Sequence, residues 1–63
     1  MTPEEIKQAR IEVFGTQAKA AKHFHVTQSA WSHWEIGIRK MPKFYIFALN
    51  ALISELDRDS TLY

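Results

Sequence analysis

Residues 16–35 spell two short helical segments joined by a very tight turn, and this pairing constrains the fold more than any other part of the chain. Thr16 and Thr27 stand where the two segments begin, and a threonine hydroxyl can accept a hydrogen bond from a backbone amide of the first helical turn. Val26 supplies an apolar side chain that closes the turn onto a core. Because Ala21 is small, another helix can cross it closely, so we expect the two segments to pack together.

Both segments have an apolar side and a polar side. The apolar side of the first segment is formed by Ala18, Ala21 and Phe24. The apolar side of the second segment is formed by Ala30, Trp31 and Trp34. The other side of the second segment presents short or planar hydrogen-bonding side chains, those of Gln28, Ser29, Ser32 and His33. A polar row over an apolar, tryptophan-rich back is typical of a helix-turn-helix that reads DNA.

The N-terminal part of the chain predicts a further helix. Thr2 can cap it, Pro3 suits its first position, and Glu5 completes a capping box three residues after the cap. Gly15 can supply the left-handed residue that ends this helix. Residues suited to its inward side recur at helical spacing: Ile6, Ala9 or Arg10, and Val13.

The C-terminal part can be interpreted as a strand or as a helix. Residues 36–41 form a connector with a glycine at its turn, and Pro42 marks the start of the next element. The segment from Phe44 to Phe47 has high strand propensity, but no hairpin turn follows it and the residues up to Leu56 favour a helix. We therefore predict one helix from about Pro42 to Leu56, followed by a frayed tail from Asp57 to Tyr63.

Composition limits the functions that are open to the chain. With 63 residues we expect a single domain, 1–63, of the all-α class, with four to five helices arranged compactly. There is no cysteine, and His23, His25 and His33 lack the further ligands of a tetrahedral zinc site. No nucleophile, base and orienting group converge in the sequence, and it has no glycine-rich phosphate loop. We expect neither an enzyme nor a bound cofactor, metal or small-molecule ligand.

Hydropathy predicts where the protein works. The longest apolar run extends only from Phe44 to Leu49, well short of the roughly 20 residues that span a bilayer. Glu4 and Glu5 make the N-terminus acidic, unlike the basic start of a signal peptide. We therefore expect a cytoplasmic protein.

Charge is unevenly distributed along the chain, although the net charge is only +1. Residues 1–15 sum to −1 and residues 44–63 to −2, whereas residues 16–43 sum to +4. The basic residues of this middle part are Lys19, Lys22, Arg39, Lys40 and Lys43. They surround the second short helix, where a phosphate backbone would need them.

Several landmarks of the middle part resemble one known family. They are Phe14-Gly15, Lys22, Val26, Gln28-Ser29-Ala30 and Arg39-Lys40. Over roughly half of its length the chain resembles the small Cro repressors of lambda-like bacteriophages, in their all-helical branch. The resemblance implies a lambda-repressor-like DNA-binding fold with its helix-turn-helix at 16–35. Two residues depart from the family pattern: His25 stands where glycine is usual, because the turn there is left-handed, and Trp31 replaces an aliphatic residue.

The resemblance also implies which residues contact DNA. Base edges in the major groove are expected to face Gln28, Ser29, Ser32 and His33. Phosphates are expected to contact Thr16, Gln17, Lys19, Lys22, Thr27, Arg39, Lys40 and Lys43. The alternative for the polar row is an ordinary solvated face. Trp31 and Trp34 could stack on single-stranded nucleic acid, but their spacing toward Ala21 and Phe24 favours the core.

The last predicted helix is too apolar for one buried face. One stripe contains Phe44, Phe47, Ala48 and Ala51, and a second is expected to form a dimer interface through Tyr45, Leu49, Leu52, Ile53 and Leu56. The expected partners are thus double-stranded operator DNA and a second copy of the chain, in the cytoplasm of a bacterial host cell. The sequence predicts a transcriptional repressor that occupies a palindromic operator as a dimer. The alternative is a protein-binding module, such as an antitoxin subunit, that uses the apolar helix.

Overall fold

Four helices account for most of the chain in the computed structural model, which describes the backbone of residues 1–61 and the side chains of residues 1–56. In chain order they are α1 (Pro3–Val13), α2 (Gln17–Phe24), α3 (Gln28–Ile36) and α4 (Lys43–Thr61). Within residues 1–61 there is no strand. The all-α class is therefore confirmed, as is the choice of a helix over a hairpin after Pro42. None of the described helices is long and apolar enough to cross a membrane.

The starts of the first three helices follow from hydroxyl caps. The Thr2 hydroxyl accepts from the Glu5 amide at 3.2 Å, and the Glu5 carboxylate accepts from the Thr2 amide at 2.9 Å, which is a complete capping box. The hydroxyl of Thr16 accepts from the Lys19 amide at 3.2 Å. That of Thr27 accepts from the Ala30 amide at 3.1 Å. The predicted caps are confirmed at all three helices.

Left-handed residues end α2 and α3. His25 follows α2 with a φ of 56°, and its amide donates to the carbonyls of Ala21 and Lys22. Gly37 follows α3 with a φ of 85°. A Cβ atom at Gly37 would lie 3.2 Å from Cγ of Pro3, so this position needs glycine for its conformation and for its close approach to the start of α1. The left-handed turn expected at His25 is confirmed.

The core lies where α1 packs against α3 and α4, and where α2 packs against α3. Its buried side chains are Ile6, Ala9, Ala20, Ala21, Trp31, Trp34, Met41 and Leu49. Trp31 has no exposed surface and stacks on Phe24 with ring centroids 5.4 Å apart. The ring of Trp34 lies edge-on to it at 5.6 Å. Both tryptophans are therefore core residues, as their spacing predicts.

Two details of the helices differ from expectation. Ala18 is exposed, whereas Ala20 lies in the core with Ala21. The reason is that α2 faces α3 with the side that contains Ala20, Ala21 and Phe24. The last helix continues to Thr61, so the predicted fraying from Asp57 is wrong for residues 57–61. These residues include neither glycine nor proline, and each adds to an already formed helix at little cost. Leu62 and Tyr63 lie outside the described residues.

Most of the stripe assigned to a dimer interface faces inward, although Leu56 at its C-terminal end is 41% exposed. Leu49 has no exposed surface, and Tyr45 and Ile53 pack against the core. The reason is that α4 packs on α1 with the side that contains Tyr45, Leu49 and Ile53, which are four positions apart. Leu49 therefore has no surface to offer a partner, which corrects the assignment of this residue to the dimer interface. The side of α4 with Phe44 and Phe47 is the exposed one.

Candidate nucleic-acid interface

The polar row predicted on the second short helix is present on α3. Gln28 and Ser29 are exposed, and Ser32 and His33 are half-buried. The opposite side of α3 is fixed in the core by Trp31 and Trp34. These four polar side chains supply amide, hydroxyl and imidazole groups that donate and accept hydrogen bonds. The structure thus brings together all four residues that were expected to read bases.

An ion pair between Arg10 of α1 and Glu35 on the inward side of α3 holds the two helices together. Arg10 Nη2 lies 2.8 Å from Glu35 Oε1, and Arg10 Nε lies 2.9 Å from Glu35 Oε2, so the guanidinium binds the carboxylate with two parallel bonds. The side chains are 12% and 3% exposed, respectively. The Trp31 indole also donates to Glu35 Oε2. Arg10 Nη1 donates to the carbonyl of Gly15 at 2.7 Å, which ties the end of α1 into the same network.

This network controls the ionisation of Glu35. Burial acts to raise the pKa of the carboxyl, but hydrogen bonds from Arg10, Gln17 and Trp31, together with the charge of Arg10, outweigh burial. The pKa of Glu35 therefore lies below its ordinary value. The hydrogen bonds to Glu35 raise the pKa of Arg10, although burial opposes the shift. Both groups are charged at neutral pH.

Gln17 belongs to this network through its side chain. Its Nε2 donates to Glu35 Oε1 at 3.2 Å, so the side-chain amide is bound to the ion pair. The resemblance places Gln17 on a phosphate, and the backbone amide at the start of α2 and the second hydrogen of Nε2 remain able to donate to it. The caps Thr16 and Thr27 accept backbone amides with their hydroxyl oxygens, and each hydroxyl can still donate its hydrogen to a phosphate oxygen.

The five basic residues of the middle part are all exposed, as a contact with phosphates would require. They are Lys19 and Lys22 on α2, Arg39 and Lys40 in the connector, and Lys43 at the start of α4. None of them forms an ion pair with another described residue. The connector stays close to the end of α3, because the Arg39 amide donates to the His33 carbonyl at 3.4 Å.

The sequence prediction missed the roles of Arg10 and Glu35. A signal was present: Glu35 follows Trp31 by one helical turn and so lies near the inward side of α3. The helical spacing of α1 places Arg10, like its neighbour Ala9, near the inward side of that helix. An acid and a base on the inward sides of two helices indicate a buried pair, since either charge alone would be costly to bury.

No cluster of three or more potential metal-ligating side chains occurs among the described residues. No protein-family model matches the chain, and no curated protein or solved structure is significantly similar to it.

Proposed function

We propose that the chain is a sequence-specific repressor of the Cro type, which binds double-stranded DNA through a helix-turn-helix formed by α2 and α3. As a dimer it occupies a palindromic operator and blocks transcription by its presence there. The mechanism needs no cofactor and no chemical step. The proposal joins the resemblance of the middle part to the surface chemistry of α2, α3 and the connector.

The observation that supports it most is the charge of the exposed surface between residues 16 and 43. Glu35 is the one acidic residue in this range, and it is buried against Arg10. The exposed surface of the range therefore contains basic groups, neutral polar groups and apolar side chains such as Ile36 and Ile38, but no acid. A phosphate backbone is attracted to such a surface, whereas a solvated helix of an ordinary domain has charges of both signs.

In this proposal, the polar row of α3 recognises the base edges of the DNA. A major groove about 12 Å wide admits a helix, and the amide of Gln28 can form two hydrogen bonds to an adenine. Ser29 and Ser32 can donate to or accept from several bases, and a protonated ring nitrogen of His33 can donate to a guanine acceptor. Basic residues such as Arg39 and Lys40 bind phosphates and fix the position of α3 without reading sequence.

A dimer sets the form of the operator. Two copies related by a two-fold axis present two α3 helices to successive turns of the major groove, roughly 34 Å apart. The preferred DNA is then an inverted repeat whose half-sites are one helical turn apart. Two weak half-site contacts add up to a useful affinity only when both are made together.

Selection from random duplex DNA tests the proposal. The purified protein is incubated with the library at moderate salt, bound DNA is sequenced, and the best sequence is titrated at several salt concentrations. We expect an enriched inverted repeat with half-sites one turn apart. Gln28→Ala should lose the enrichment at its base pair, and the matched control Gln8→Ala on α1 should retain it. Enrichment no better than background would contradict the proposal and favour a protein-binding module.

A further inference from the structure

Between residues 44 and 54 the exposed side of α4 is uncharged. From residue 44 to residue 54, the exposed residues are Phe44, Phe47, Asn50, Ala51 and Ser54, which we call the outer face of α4. Phe44, Phe47, Ala51 and Ser54 recur every three or four positions, and Asn50 lies one turn after Phe47, so all five lie on one side of the helix. Phe44 is 76% exposed and Phe47 is 74% exposed. Interface centres share these two properties, aromatic side chains and few charges, which are rare together on free surfaces.

We propose that a second copy of this chain covers the outer face, with the two α4 helices antiparallel about a two-fold axis near residue 49. The inference rests on the proposed function, because the interface that it assigns is that of the dimer proposed to bind the operator. The outer face thus takes the place of the stripe containing Leu49 as the expected dimer interface.

The sizes of the side chains favour the antiparallel arrangement. The two large residues, Phe44 and Phe47, lie in the N-terminal half of the outer face, and the small residues Ala51 and Ser54 lie in the C-terminal half. In a two-fold interface, residue i contacts residue j and j contacts i. An antiparallel pair places Phe47 beside Ala51 of the partner subunit. A parallel pair would set large residues against large ones and leave the small ones facing each other across a gap.

The charges at the ends of the outer face favour the same arrangement. Lys40 and Lys43 are exposed at its N-terminal end, and Glu55 is exposed at its C-terminal end. In an antiparallel pair the basic end of each helix lies beside the acidic end of the other, which is favourable. In a parallel pair the like-charged ends would lie together.

The area of the outer face indicates a weak dimer. A fully buried phenylalanine contributes on the order of 200 Å², so two that are about three-quarters exposed offer about 300 Å² per subunit. With the smaller residues, the pair of faces buries roughly 900 Å² in all, which is at the low end of specific interfaces. The dimer is therefore populated at high protein concentration and is strengthened when both subunits bind one DNA duplex.

Cross-linking through an introduced cysteine tests the contact directly, because the natural chain has no cysteine. Asn50→Cys lies near the proposed two-fold axis, and Ala18→Cys on α2 is an exposed control away from the outer face. With a short bis-maleimide and no DNA, we expect concentration-dependent dimers from Asn50→Cys at several times the control yield. Equal yields from the two variants would overturn the proposal.

Sedimentation equilibrium over a concentration series tests how much individual residues of the outer face contribute to association. We expect Phe47→Ser to weaken association at least several-fold, whereas Ile11→Ser, an exposed apolar residue on α1, should leave it unchanged. Circular dichroism melting checks that both variants fold. Lys43→Glu and Glu55→Lys should each weaken association, and their combination should restore it. A natural protein that stays monomeric throughout, or equal effects of the two serine variants, would overturn the proposal.

The two proposals fail separately. Selection of single half-sites by a protein that does not dimerise would overturn the interface and leave DNA reading intact. A dimer that cross-links through Asn50→Cys but selects no DNA would support the interface and contradict the repressor.

Discussion

His25 has a left-handed backbone although it has a side chain to strain it. Its φ is 56°, and its side chain is exposed. A left-handed conformation costs a residue with a Cβ atom roughly 1 kcal/mol relative to glycine. The chain tolerates this cost because the amide of His25 closes α2 on two carbonyls.

We therefore expect His25→Gly to raise the free energy of unfolding by about 1 kcal/mol. Urea denaturation followed by circular dichroism measures it. The same substitution at His23, within α2, should have the opposite sign, because glycine in a helix interior costs about 1 kcal/mol. A loss of stability in His25→Gly would show that the histidine contributes more than its backbone strain removes.

Glu35 and Arg10 stabilise the fold only as a pair. Glu35→Gln keeps the shape of the side chain but leaves the guanidinium of Arg10 mostly buried without its counter-charge. Removing one partner of a buried pair typically costs about 3 kcal/mol or more, which is a large part of the stability of so small a domain. Glu12→Gln, an exposed change on α1, is the matched control and should be neutral in the same urea titration. Equal midpoints for the two variants would contradict a stabilising role of the pair.

Acid should destabilise the protein through Glu35. Because the folded state lowers the pKa of Glu35, its ionisation stabilises the fold at pH values above the unfolded pKa, about 4.3. That contribution is lost as pH falls through the folded pKa. Thermal unfolding between neutral pH and pH 3 should show a steeper fall below about pH 4.5 in the natural protein than in Glu35→Gln. Parallel curves would assign the acid sensitivity to other carboxylates.

At the scale of the element, the proposed DNA contacts are of two kinds that mutation can separate: base contacts from α3 and phosphate contacts from the connector. Gln28→Ala should weaken binding to the preferred duplex by about 1–3 kcal/mol and relax the preference at one base pair. Arg39→Ala should weaken binding to all sequences alike and reduce the slope of log affinity against log salt by about one. Fluorescence anisotropy with specific and random duplexes at several salt concentrations distinguishes them. Identical signatures would contradict the division of roles between α3 and the connector.

The helices themselves were predictable because their limits depend on local chemistry. Thr2, Thr16 and Thr27 are caps whose hydroxyls act within the next three residues, and a left-handed residue follows α2 and α3 at His25 and Gly37. The polar row of α3 could be predicted for the same reason, since it follows from helical periodicity alone.

Which side of α4 faces inward could not be predicted in this way. Two apolar stripes are present, and the choice between them depends on how α4 crosses α1, which involves residues far apart in the chain. The ion pair of Arg10 with Glu35 joins residues that are 25 positions apart and was missed for the same reason.

At the scale of the molecule, the buried network of Arg10, Gln17 and Glu35 and the outer face of α4 consist of different residues. Arg10, Gln17 and Glu35 join α1, α2 and α3 in one hydrogen-bonded network that includes no residue of the outer face. The side of α4 that packs on α1 and contacts Trp34 of α3 is the inward side, which contains Tyr45 and Leu49. Substitutions on the outer face of α4 are therefore expected to change association while leaving the surface of α3 as it is.

This separation predicts how an outer-face variant binds DNA. If two weakly associating subunits meet on an inverted repeat, their contact couples the two half-sites, and coupling energies between sites are typically about 1–3 kcal/mol. Phe47→Ser should therefore lower the affinity for a duplex with two half-sites about tenfold, or about 1.4 kcal/mol, and leave that for a single half-site unchanged. Anisotropy titrations of the two duplexes measure both, with Ile11→Ser as the control. An equal loss on both duplexes would mean that Phe47 contacts DNA or supports α3, because a contact made only between subunits has no effect on a single half-site.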